Sequence, residues 1–137
     1  MADKVSFELV SPARLLLSED VDMVVIPGAE GDFGVLPMHS PLVSSIRPGV
    51  INVYDGNDIT QRIFVAGGFA EVSPERCTVL AEEAVPVADI DRGDAEQRLE
   101  DAKAALAKAE EDPESNTAAA EKELKIAEAM IAAIPQA

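Results

Sequence analysis

The sequence predicts a β + α protein: a flattened β-sandwich or barrel of short strands, followed by an antiparallel two-helix hairpin. Two observations carry that prediction. Up to Pro86, apolar residues alternate with period two in short runs separated by turn residues. From Asp91 onward, β-branched residues thin out and Ala, Glu, Lys and Leu recur with helical spacing. The change of period at Val85-Pro86-Val87 divides the chain into a sandwich domain, 1–87, and a helical hairpin domain, 88–137. A chain of 137 residues suits one domain, or one small domain plus an appendage, and 47% hydrophobic content is enough for a packed core.

The strands follow in order. Val5-Ser6-Phe7-Glu8-Leu9-Val10 alternates as a half-buried strand should. Ser11-Pro12 breaks it. Leu15-Leu16-Leu17 is a short apolar run, after which Ser18-Glu19-Asp20 reads as a turn. Val21 to Ile26 is β-branched and is stopped by Pro27-Gly28. Phe33 to Leu36 and Leu42 to Ile46 are two further short pieces. Val50 to Tyr54 and Ile59 to Val65 flank Asp55-Gly56-Asn57-Asp58, whose residues tolerate the backbone angles of a tight hairpin. Gly67-Gly68 marks a bulge or a close backbone approach. Phe69 to Val72 and Arg76 to Leu80 form a last hairpin around Ser73-Pro74-Glu75. Cys77 and Val79 share a face there, so Cys77 reads as a small buried hydrophobe.

The most specified stretch runs from Pro27 to Pro48. Glycines at Gly28, Gly31 and Gly34 and prolines at Pro37, Pro41 and Pro48 dictate a kinked, fixed path. It carries the one histidine of the chain, His39, and two acids, Glu30 and Asp32.

In the second half, Asp89 or Asp91 can cap a helix. Its apolar stripe is Ala95, Leu99, Ala102, Leu106 and Ala109. Glu111-Asp112-Pro113-Glu114-Ser115 breaks the run, and Asp112 with Pro113 offers a second start, with Ser115 and Asn116 as later ones. The second stripe is Ala120, Leu124, Ala127, Ile131 and Ile134. Two stripes across a short loop make an antiparallel seam, and the alanines permit close approach. Ile126, Met130 and Ala133 form a further apolar strip on the second helix, which calls for a partner.

Composition excludes several function classes. Twenty-six acids against 11 bases give a net charge of −15, the wrong sign for nucleic acid or anionic lipid. A lone cysteine and a lone histidine argue against a disulfide, a metal site and a catalytic constellation. The triple-glycine segment lacks the Lys-Ser/Thr of a phosphate loop and holds two acids. No apolar run approaches the roughly 20 residues of a membrane span, and the start, Met-Ala-Asp-Lys, begins no signal segment. The expectation is a cytosolic chain, free or peripheral, with no cofactor and no metal.

Pro27-Gly28-Ala29-Glu30-Gly31-Asp32-Phe33-Gly34-Val35-Leu36-Pro37-Met38-His39-Ser40-Pro41-Leu42-Val43, then Ile46-Arg47-Pro48-Gly49, closely resembles the epsilon-subunit family of bacterial F-type ATP synthases, called delta in mitochondria. The likeness continues through Phe64-Val65-Ala66-Gly67-Gly68-Phe69-Ala70-Glu71-Val72, Val79-Leu80-Ala81 and Ile90-Asp91. It implies a flattened ten-stranded sandwich followed by a helical hairpin. It also implies a non-catalytic subunit of the central rotor, peripheral on the cytoplasmic face of the inner membrane. The gamma subunit and the ring of c subunits are the implied partners, and the beta subunit is one that an extended hairpin would reach. By the same resemblance, Glu30, Gly31 and Asp32, with His39 near them, face the ring.

The hairpin departs from the family pattern. Some members bind ATP through Ile-Asp-x-x-Arg-Ala with a second arginine seven residues on. Here Ile90-Asp91 remains, but Asp94 stands at the first arginine and Asp101 at the second. Inhibitory members also use a basic second helix, whereas beyond Pro113 this chain has only Lys122 and Lys125 as bases. Weak or absent nucleotide binding and weak inhibition of hydrolysis are therefore expected. The alternative is an ATP-sensing regulatory subunit whose hairpin inhibits hydrolysis.

Overall fold

The structure, a computed structural model, describes residues 4–135. The chain divides into two compact units, one ending at Val87 and one beginning at Ala88.

The first unit is a flattened β-sandwich of ten strands. They are β1 (Val5–Val10), β2 (Leu15–Val21), β3 (Met23–Gly28), β4 (Gly31–Val35), β5 (Leu42–Ile46), β6 (Gly49–Asp55), β7 (Asp58–Val65), β8 (Gly68–Val72), β9 (Arg76–Ala81) and β10 (Ala84–Pro86). One layer runs β10-β7-β6-β3, with β4 on the far side of β3. The other runs β5-β8-β9-β1-β2. The two meet at a single residue pair, Gly28 with Ile46. β1 and β9 pair in parallel, and the remaining pairs are antiparallel.

Period-two alternation decides what enters the core. Val5, Phe7 and Leu9 point inward from β1 and meet Ile26, Ile51, Val53, Val65, Cys77 and Val79 from other strands. Each alternate position faces outward, so burying one face leaves the other free for recognition. The layers are also joined at the surface, where Glu19 of β2 accepts a hydrogen bond from Gln61 Nε2 of β7.

The chain passes between layers at short corners. At Asp22 the run Val21 to Ile26 divides, because Asp22 N turns to donate to Tyr54 O at 3.1 Å. Expected as one strand, it is the end of β2 and the start of β3. Pro27 and Gly28 were expected to stop that strand. Instead they extend it, pairing with Asp32 and Gly31 of β4, because the Pro27 carbonyl still accepts a bond from Arg47 N at 2.9 Å. Ser18-Glu19-Asp20 is likewise strand rather than turn. It lies on an edge, paired on one side with Ser6, Phe7 and Glu8 of β1, where polar side chains reach solvent. The short β10 lies where the sequence showed only a change of period, and it covers the edge of β7. At the corner into β8, Gly68 has φ +136° and a Cβ there would lie 1.9 Å from Leu80 O, so no other residue fits.

The second unit holds α1 (Arg92–Glu110) and α2 (Ala118–Ala133), packed together as a hairpin, after a 3-10 turn at Val87–Asp89. Asp91 caps α1, its Oδ1 accepting from Asp94 N at 3.0 Å. Pro113 does not open α2. Asp112 Oδ1 instead accepts from Glu114 N at 3.0 Å and closes a turn, and Asn116 Oδ1 accepts from Ala118 N at 2.9 Å. These local bonds satisfy the loop backbone and delay the helix until Ala118.

Candidate partner-binding surfaces

The two-residue tip Ala29-Glu30 joins β3 to β4, with Gly28 paired to Gly31 beneath it. Gly31 takes φ +139°, which a side chain would resist. Four contacts fix the tip to the sandwich. Ala29 N donates to Ser45 O at 2.9 Å, and Arg47 N to Pro27 O at 2.9 Å. The Arg47 side chain then bridges both strands: Nη1 donates to Gly28 O at 2.6 Å and Nη2 to Asp32 Oδ1 at 2.5 Å. Glu30 stands at the exposed tip.

His39 is elsewhere. The sequence expectation put it near this turn, but β4 runs from Gly31 to Val35 and carries the chain away. At roughly 3.3 Å per residue, those four steps alone span about 13 Å. The loop beyond is held to the β8–β9 turn by a bond from Met38 N to Pro74 O at 2.7 Å. His39 Nδ1 donates to Ser40 O at 2.7 Å. Met38 takes a left-handed φ of +68° and is 69% exposed, so the loop presents an apolar tip.

A further surface was not singled out from the sequence. Ser45 lies opposite Phe69, Phe69 opposite Leu80, Leu80 opposite Val10, and Val10 opposite Leu15. Directly opposed residues share a sheet face. The row crosses five strands on the outward side of the β5-β8-β9-β1-β2 layer. Phe69 is 57% exposed, Leu80 52% and Leu15 55%. The adjacent row, Val43, Glu71, Thr78 and Glu8, is mostly polar. An apolar row with a polar rim marks a contact surface. Its trace in the sequence is that Phe69-Ala70 and Val79-Leu80 are apolar in both phases of the alternation.

In the hairpin, Ala95, Ala102 and Ala127 of the two stripes are buried, and Leu99, Leu106, Ala109, Ala120, Leu124, Ile131 and Ile134 are half-buried. Ile126 and Met130, from the strip beside the second stripe, are buried as well. A groove along α1 facing α2 is lined by Asp94, Gln97, Arg98, Asp101 and Glu123. Gln97 Nε2 donates to Asp101 Oδ1 at 2.9 Å, and Arg98 Nη2 lies 3.5 Å from Glu123 Oε2. Ile90 and Asp91 precede this groove, and Asp91 is engaged as the helix cap. Among the described residues, no helix is long and apolar enough to cross a membrane.

A two-layer sandwich with an exposed apolar row and a separate acidic tip, followed by a helix pair, defines a class of protein. Residues 4–87 match the family model for the ATP synthase delta/epsilon chain β-sandwich domain. The chain is 54% identical to the ATP synthase epsilon chain of Paramagnetospirillum magneticum, with 98% of this chain and 99% of that one covered. It is 53% identical to that of Rhodospirillum rubrum, covering 97% and 98%. A chain in the structure of the Euglena gracilis mitochondrial ATP synthase, OSCP/F1/c-ring in rotational state 1, superimposes with a TM-score of 0.79. The identity there is 30%, over 96% of this chain and 81% of that one. The chain belongs to the ATP synthase epsilon chain family.

Proposed function

We propose that the chain is a non-catalytic subunit of the central rotor of a proton-translocating ATP synthase. It links the ring of c subunits to the gamma subunit and so couples proton flow to ATP synthesis. Its place is peripheral, on the cytoplasmic face of the membrane. The observation that carries this reading is the pair of unlike surfaces on one rigid sandwich. The acidic Ala29-Glu30 tip suits basic, polar loops of a ring without entering lipid. The Leu15–Leu80–Phe69 row suits an apolar face of gamma. A stiff body passes torque between two partners with little lost to distortion, and a close-packed sandwich has low compressibility and transmits strain.

The test is loss of linkage. Complexes lacking residues 4–87 should lose most proton-driven ATP synthesis, and synthesis at the wild-type rate would overturn the coupling role. Placing a carboxylate in the apolar row, by Phe69→Glu, should weaken co-purification with gamma by roughly tenfold or more, as burying an unpaired charge demands.

The hairpin groove does not fit a triphosphate. Asp94, Asp101 and Glu123 present carboxylates where anionic oxygens would have to lie, and Arg98 faces one of them already. Titration calorimetry should show weak or no ATP binding, and micromolar affinity would sink that expectation. Truncation before Ala88 should leave ATP hydrolysis within about twofold of the full complex, since this hairpin lacks the basic second helix that inhibitory members use. Strong relief of hydrolysis would favour the regulatory reading.

A further inference from the structure

We propose that Asp55-Gly56, in the β6–β7 turn, is a site of covalent isomerisation to isoaspartate, and that Asp22 holds it in an unreactive geometry. The sequence has one Asp-Gly pair and no Asn-Gly pair. An Asp-Gly pair closes readily to a succinimide, because glycine puts no side chain beside its own amide. The Gly56 nitrogen gives up its proton and attacks Asp55 Cγ. The new N–C bond forms as the C–O bond to the carboxyl OH breaks, and one water leaves. Water then reopens the ring. Opening at the former main-chain carbonyl routes the backbone through the side chain and leaves a free α-carboxylate, with no net change in mass. That product is the methyl acceptor for a repair methyltransferase of the isoaspartate-specific class.

Exposure and constraint meet at this turn. The Asp55 side chain is 71% exposed, and nothing lies within 4 Å of where a Gly56 Cβ would sit, so the pair is open to solvent. Yet both peptide groups that flank Asp55 are held by one residue. Asp22 N donates to Tyr54 O at 3.1 Å, and Asp22 Oδ2 accepts from Gly56 N at 2.5 Å. Ring closure needs the Gly56 nitrogen to swing toward Asp55 Cγ and to lose its proton. A carboxylate on that N–H opposes both steps. It fixes the direction of the bond, and its charge disfavours an amide anion beside it. Asp55 also pairs with Asp58, which keeps its backbone extended. Lys4 completes the arrangement, its Nζ lying 3.3 Å from Asp22 Oδ1 and 3.8 Å from Asp55 Oδ1. A cation there seats Asp22 and favours the ionised form of Asp55, a poorer electrophile than the acid.

The test is ageing of the purified full chain at neutral pH and physiological temperature. Isoaspartate is counted by enzymatic methyl transfer from S-adenosylmethionine and placed by fragmentation of the peptide that holds Asp55. The denatured chain should accumulate it at position 55, and the native chain roughly tenfold more slowly. Asp22→Ala should raise the native rate by roughly fivefold or more, and should speed hydrogen exchange at the Gly56 amide by a similar factor. Val79→Ala, at a fully buried site in the other layer, controls for lost stability. It should leave both rates within about twofold of native. An Asp22→Ala rate within about twofold of native overturns the guarding role. A slower rate overturns it as well, since Asp22 would then be acting as the base. A matching rise in Val79→Ala does the same, because global unfolding would be the route. Absence of isoaspartate from position 55 in the denatured chain overturns the site itself.

Discussion

Gly68 and Cys77 show how single residues carry the sandwich. Gly68 stands where the chain turns into β8 against Leu80 O, 1.9 Å from where a methyl would sit. Gly68→Ala must both strain φ +136° and push two strands apart. It should cost about 3 kcal/mol or more, read from denaturant unfolding of the full chain. Cys77 is buried in the core, and burial pushes its thiol up to about 12 from an ordinary 9.0. It should resist thiol reagents at pH 8 in the folded chain and react once the chain is unfolded. The sign of its pH effect follows from the raised value. Below pH 9 the thiol is neutral in both states and has no effect. Above that the unfolded chain ionises and the folded one does not, so stability falls, by about 1.4 kcal/mol per pH unit at most, until the folded thiol titrates. The stability difference between the native chain and Cys77→Ala, followed from pH 8 to 11, checks this. At the other end of the charge scale, the backbone amide of Gly56 and then Lys4 hold the Asp22 carboxyl below its usual range.

At the scale of elements, the two helices of the hairpin start differently. Asp91 receives the Asp94 amide and closes the first turn of α1. Thr117 precedes α2 but spends its hydroxyl on Glu121 Oε1 at 3.0 Å and caps no backbone amide. Asp91→Ala should therefore cost about 1 kcal/mol of hairpin stability and Thr117→Ala distinctly less, measured as the shift in the helical unfolding transition. The strand β1 is legible because Val5, Phe7 and Leu9 alternate with Ser6 and Glu8. The edge strand β2 was less so, because Ser18-Glu19-Asp20 reads as a turn until the pairing with β1 is known. The earlier of the expected starts of α2, at Asp112-Pro113, gives way to one near the later expected start at Asn116, for a related reason. Asp112-Pro113 is a good helix opening in isolation, but the Asp112 side chain bonds only two residues ahead and makes a turn.

For the whole molecule, the proposed function needs two surfaces held apart by one close-packed core. Destabilising the core should therefore uncouple only by unfolding. Phe7→Ala, at a fully buried site, should cost about 3–5 kcal/mol and lower the amount of assembled complex rather than its coupling per molecule, a distinction made by normalising ATP synthesis to subunit content. The sequence by itself determined the two classes of element, their order, and the family, because period, turn chemistry and the Pro27–Pro48 motif are local properties. It also located the acidic tip, since Gly28, Gly31 and their neighbours specify a turn wherever the chain goes next. Three things were decided only by tertiary structure. Arg47 lies 15 residues from Asp32 and meets it only because β5 returns to the end of β3. His39 and Glu30, nine positions apart in a single motif, are carried to opposite ends of β4 by the strand between them. The apolar row from Leu15 to Phe69 comes from strands far apart in sequence, and register between strands is a non-local property. A residue's neighbours along the chain say which face it shares with them, and only the pairing says which residues from elsewhere complete that face.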